Sequence, residues 1–146
     1  METVCRTVPI ETGILQAAEA AIPPGTPVTM INLLRFRETA DYGSASNETP
    51  CSGRDAYYKR YAPVATPLVF GVGGSVFWSG TTLADLISPA YEHWDDVLLV
   101  QYPDFSCLVR LAENPEYQAV VHHRTAALAD SRLIATKTMA GLFDGM

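Results

Sequence analysis

Val28-Thr29-Met30-Ile31-Asn32-Leu33-Leu34-Arg35-Phe36 is the stretch on which the fold turns. It is rich in β-branched and large apolar side chains, and neither glycine nor proline interrupts it, so it reads as a strand. Alternate residues of a strand face opposite sides. One face carries Val28, Met30, Asn32, Leu34 and Phe36; the other carries Thr29, Ile31, Leu33 and Arg35. Both are largely apolar. Asp96-Val97-Leu98-Leu99-Val100-Gln101-Tyr102 repeats the pattern, with Leu98 and Val100 on one side and Val97 and Leu99 on the other. A sheet of such strands needs cover on both faces.

Outward from these strands, the chain alternates elements with turn formers. Ile14, Leu15, Ala18 and Ala21 recur at helical spacing behind a Thr12 cap, which predicts a helix over 11–22, ended by Ile22-Pro23-Pro24-Gly25. Residues 37–52 are polar and rich in turn formers, and read as a long mobile loop. Ser52 caps a further helix, with Tyr57, Tyr61, Val64 and Leu68 as its inner face and Pro63 and Pro67 expected to break it after Ala62. Gly71-Val72-Gly73-Gly74 leads into a strand, Ser75–Ser79, with Val76 and Trp78 on one face. A short helical turn is expected around Leu83–Ile87. After the Asp96–Tyr102 strand come a helix over Phe105–Ala112, a longer one from Pro115 to about Asp130, a last strand over Leu133–Thr138 and a tail over 140–146.

The order after the first helix is β-α-β-β-α-β, that of a ferredoxin-like α+β sandwich occupying 28–139 within a single domain, 1–146. Two helices cover only one face of the sheet. The exposed apolar face predicts pairing with a second copy, and hence a homodimer.

The composition agrees with one compact domain. The chain has 146 residues, 48% of them hydrophobic and 18% charged, which excludes wholesale disorder. A net charge of −6 and a pI near 4.9 give no basic footprint for nucleic acid. No apolar stretch approaches the roughly 18–20 residues that span a bilayer. METVCRTVPIETG carries no secretory pattern, so a cytoplasmic location is expected. Cys5, Cys51 and Cys107 are widely spaced and read as reduced, apolar thiols.

The helix from Pro115 carries the most chemical information. Tyr117, Val120, Val121, Ala127 and Leu128 form its apolar stripe, and Arg124 falls in the middle of it. A guanidinium on such a stripe is either paired by a fixed carboxylate or points into a cavity where an anion meets it. His123 lies at the border of the stripe and is the candidate general acid or base, whereas His122 faces solvent. Asn32, an amide inside an apolar strand face, and the phenols of Tyr57 and Tyr61 are candidate substrate contacts, with Trp78 and Trp94 as walls. Glu92-His93-Trp94-Asp95 could edge the same cavity. Adjacent helical residues diverge, so Glu92, His93, His122 and His123 are not expected to hold a metal. No GxSxG, GxGxxG or Walker spacing occurs, so neither a serine triad nor a nucleotide site is expected.

Gly73-Gly74 before a strand, Trp94-Asp95 before DVLLVQYP, Asn32-Leu33-Leu34-Arg35-Phe36, Pro115-Glu116-Tyr117 and His123-Arg124 together resemble the "domain of unknown function 1330" family over about 28–139. The resemblance implies a dimeric α+β barrel with a ligand pocket between sheet and helices. The superfamily includes cofactor-independent monooxygenases, muconolactone-type isomerases and haem-degrading enzymes. No histidine is placed for axial haem ligation, so no cofactor is expected. The functional expectation is a cofactor-independent enzyme acting on a small anionic or carbonyl metabolite, through isomerisation, lactone chemistry or oxygenation. Arg124 would hold the anion and His123 would move a proton. The alternative is a non-catalytic or stress-related dimer that binds a small molecule.

Overall fold

The computed structural model describes residues 10–143 and shows a mixed α+β fold: a four-stranded antiparallel sheet and four helices. Cys5 lies outside the described residues. The strands are β1 (Val28–Phe36), β2 (Ser75–Thr81), β3 (Asp96–Tyr102) and β4 (Leu128–Thr136), in the spatial order β2-β3-β1-β4. The helices are α1 (Thr12–Ala21), α2 (Gly53–Gly71), α3 (Ser106–Glu113) and α4 (Pro115–Ala127). Among the described residues no helix is long and apolar enough to cross a membrane.

β1 pairs Ile31 with Leu99 of β3 and with Ile134 of β4, so the alternation read from its sequence sets the faces of the whole sheet. Val28, Met30 and Leu34 point toward the helices and are buried. Leu15 of α1, Phe105 and Leu108, Leu111 of α3 close one core cluster over Met30 and Val100. Tyr57, Tyr61 and Ala65 of α2 close another over Leu34 and Leu128. Ile31, Leu33, Val97 and Leu99 on the opposite face remain partly exposed, and Ile134 is 47% exposed.

Several local expectations are corrected. Thr12 is inside α1; Glu11 is its N-cap and makes no side-chain cap bond. Ser52 does cap α2, its hydroxyl accepting from the Asp55 amide at 3.0 Å. The prolines do not break α2: a π-helical segment, Ala56–Tyr61, joins Gly53–Asp55 to Ala62–Gly71, with Pro63 in the first turn of the latter and Pro67 inside it. A π turn takes up an extra residue, which advances the inner face by one position. Ala65 is therefore buried where Val64 was expected.

β2 extends to Thr81 and carries a bulge between Val76 and Trp78. Val76 pairs with Val100 but Trp78 with Leu99, so the two side chains occupy opposite faces. No helical turn forms over 83–87; Leu83 and Ile87 stand 97% and 98% exposed in the β2–β3 connection. α4 ends at Ala127 and β4 starts at Leu128 with no loop between them, five residues before the expected strand.

The 37–52 loop is irregular but tied down. The amide of Ala40 donates to the Cys51 carbonyl and that of Asp41 to the Ala126 carbonyl, both at 2.9 Å. Arg60 of α2 donates to the Thr49 carbonyl at 2.6 Å. Cys51 and Cys107 are free thiols, the latter inside the core.

Candidate functional site

α2, α3 and α4 do not close completely on the sheet, and a cavity of about 870 Å³ remains between them. Its wall has two characters. Around Leu15, Met30, Val100, Leu108 and Leu111 it is apolar; around Asn32, Tyr57, Tyr61, Asp96, Tyr117 and Arg124 it is polar.

The polar end is organised by Arg124. The helical stripe directs this side chain inward, and the surface it keeps faces the cavity. Among the described residues no carboxylate pairs with it; its neighbours are the phenols of Tyr57, Tyr61 and Tyr117. Burial works against its charge, but those phenols outweigh burial and keep its pKa above the ordinary arginine value. Tyr61 and Tyr117 share a hydrogen bond of 2.7 Å, and the rings of Tyr57 and Tyr61 lie 5.0 Å apart. Burial also raises the pKa values of Tyr57 and Tyr61, so both remain protonated donors at neutral pH. Asn32 on β1 is 9% exposed. It lines the cavity.

Asp96, at the start of β3, is the buried carboxylate of this wall. Arg54 of α2 grips it with both guanidinium nitrogens, at 2.8 and 3.2 Å, and the Tyr58 hydroxyl donates to it at 2.5 Å. Burial pushes its pKa up, but the Arg54 and Tyr58 bonds prevail and hold it below the ordinary value. Burial and the Asp96 bond push Tyr58 far in the other direction, so it also stays protonated.

Asn32, Tyr57, Tyr61 and Arg124 are therefore brought together, while three other candidates are not. One residue is a 100° step on a helix, and on α4 that step carries His123 away from the cavity to the underside of the 37–52 loop. There its Nδ1 lies 2.6 Å from the Tyr42 hydroxyl. Burial and the neighbouring His122 lower its pKa. Trp78 is turned to the other sheet face by the β2 bulge and is half exposed. Trp94 donates to Glu92 at 3.1 Å and stacks under the Arg132 guanidinium, 5.0 Å from its ring centre, instead of forming a cavity wall. The Glu92–Asp95 segment is a partly exposed network in which His93 bridges Asp85 at 2.9 Å and Asp95 at 3.2 Å.

Tyr58, Asp96 and Tyr117 were missed as site residues. Asp96 had a signal: it alternates in phase with Leu98, Val100 and Tyr102, and so shares their inward face. Tyr117 lay on the α4 stripe as a nominal core residue. Tyr58 had none, because the π turn that lets adjacent tyrosines both face the sheet has no sequence signature.

The expectation that His122 and His123 diverge also fails. Their ring centres lie 4.0 Å apart, beside Glu48 of the loop.

A mixed α+β chain with a donor-lined cavity between one sheet face and its helices is thus the class defined by fold and site. No protein-family model matches the chain, and none of the curated proteins does. Two crystal structures are similar over nearly the full length. One is of methylated RPA0582 protein, 34% identical, covering 94% of this chain and 97% of that one, with a TM-score of 0.81. The other is of RPA0582, a protein of unknown function from Rhodopseudomonas palustris, 33% identical, covering 93% and 99%, with a TM-score of 0.80. The chain belongs to the same family as RPA0582.

Proposed function

We propose that the protein is a homodimer that binds a small anionic metabolite, its acid group on Arg124 and its less polar part among Met30, Val100 and Leu108. One observation carries the reading: the Arg124 guanidinium faces the cavity with no carboxylate paired to it among the described residues, the cavity's own Asp96 being held by Arg54. The phenols of Tyr57, Tyr61 and Tyr117 keep the guanidinium charged but carry no fixed counter-charge, so an anionic ligand would complete the site. The phenols of Tyr57, Tyr61 and Tyr117 add donors for a carbonyl or hydroxyl oxygen beside the acid.

Binding has more support than proton transfer. A general base works best with a pKa near the operating pH. Among the described residues no imidazole lines the cavity, Tyr57 and Tyr61 stay protonated, and the buried carboxylate of Asp96 is held as a weak base. The second reading is a cofactor-independent isomerase, lactone-processing enzyme or monooxygenase. The donor set favours it, because guanidinium and phenol groups stabilise an enolate oxygen.

A thermal-shift screen of small carboxylates tests the binding reading, since a ligand that binds only the folded state raises Tm. Arg124→Ala should lower the affinity of any hit by about tenfold or more, with Arg124→Lys between it and wild type. Unchanged affinity in both variants would remove Arg124 from the site.

The strand order supports a ferredoxin-like arrangement, and the uncovered face of Ile31, Leu33, Leu99 and Ile134 supports sheet-against-sheet pairing as in a dimeric α+β barrel. Membership of the domain of unknown function 1330 is part of the same proposal. Sedimentation should give twice the chain mass of 15.9 kDa, falling to one chain mass in Ile134→Asp. A wild-type monomer would refute the pairing.

A further inference from the structure

Between α4 and the 37–52 loop runs a second cleft, of about 570 Å³. Glu48 from the loop and His122 from the helix both line it. His123 stands beside them, its ring tilted 36° to that of His122. One ligand atom from each of Glu48, His122 and His123 lies within 4.8 Å of the others. His122 Nε2 is 3.6 Å from Glu48 Oε1.

The surroundings orient these side chains as the outer shell of a metal site does. Ligating carboxylates and imidazoles are typically fixed by hydrogen bonds from their non-ligating atoms. Here Arg60 approaches the other carboxylate oxygen, Glu48 Oε2, at 3.7 Å, leaving Oε1 toward His122. Tyr42 engages Nδ1 of His123, which leaves Nε2 for an ion. Arg60 also donates to the Tyr42 hydroxyl at 3.2 Å, so both supports meet on one side chain.

We propose that Glu48, His122 and His123 form a binding site for a divalent transition-metal ion, which clamps the 37–52 loop onto α4. Two imidazoles and one carboxylate suit Zn²⁺, Co²⁺ or Ni²⁺ rather than Mg²⁺ or Ca²⁺, which take oxygen ligands. Glu48 and His122 are exposed, so the remaining coordination positions are open to water. The nearby Arg60 charge opposes a cation and limits the affinity.

Calorimetric titration of the full chain with Zn²⁺ tests the site, in a Cys5→Ser, Cys51→Ser, His93→Ala background that removes competing thiol and imidazole ligands. One Zn²⁺ per chain should bind saturably, and Co²⁺ should give a visible absorption band. His122→Ala and Glu48→Gln alter exposed side chains and should leave the fold intact by circular dichroism. Each should weaken Zn²⁺ by about tenfold or more. Absence of saturable binding, or binding that neither variant weakens, would overturn the assignment. None of the three ligands lines the Arg124 cavity, so either result leaves the anion-binding reading untouched.

Discussion

Gly53→Ala is expected to destabilise the protein by about 3 kcal/mol or more, at the upper end of what overpacking costs. Gly53 opens α2 where three backbone segments converge. Its amide donates to the Arg37 carbonyl at 3.0 Å, and the Arg37 amide donates to the Ala127 carbonyl at 2.8 Å. An added methyl would strike both of those carbonyl oxygens and stand 2.8 Å from the Arg37 nitrogen. Backbone atoms in a hydrogen-bonded chain cannot swing aside as a side chain can. Gly71, at the other end of the same helix, has nothing within 4 Å of the corresponding position. Urea denaturation should therefore place Gly53→Ala far below wild type and Gly71→Ala close to it. Equal midpoints for the two variants would show that the junction has slack.

Asp96→Asn should cost about 2 kcal/mol at neutral pH, through loss of the charge-assisted bonds from Arg54 and Tyr58. The figure sits below that of a fully buried pair because the Arg54 side chain is 48% exposed and water recovers part of the loss. The pH dependence has a definite sign. The folded-state pKa of Asp96 is depressed below the ordinary value of 3.8, so its contribution is complete above that pH and fades as pH falls through the lower folded value. Wild type and Asp96→Asn should differ in urea midpoint at pH 7 and converge below pH 3.8. A gap that persists undiminished in acid would mean that the ionised carboxylate is not its source.

The parts of this fold legible in the sequence are those where periodicity meets unbroken chemistry. β1 and β3 are long apolar runs bounded by turn formers, and both are found where they were read. The features that escaped are changes of phase. The π turn in α2 and the bulge in β2 each absorb one residue without glycine or proline to mark them, and each redirects every side chain beyond it. Simple alternation puts Trp78 on the face of Val76, and the bulge puts it on the opposite one. The candidate site divides in the same way. Arg124 is central to a regular helical stripe, so its inward direction could be derived. His123 sits at the edge of that stripe, where its direction is decided by the loop that covers it. Loop geometry depends on contacts distant in sequence, such as Tyr42 with His123, and no local pattern encodes them.

The seam at Ala127–Leu128 constrains how this chain can vary in length. A helix that passes straight into a strand works as a crankshaft: a residue gained in α4 would rotate its inner stripe by 100° and invert every side chain of β4 in a single stroke. Arg124 would swing out of its hollow while Leu128 left the core. Natural insertions and deletions in this family should accordingly cluster in the 37–52 and 82–95 connections and avoid the crankshaft, a pattern open to inspection in any set of its sequences.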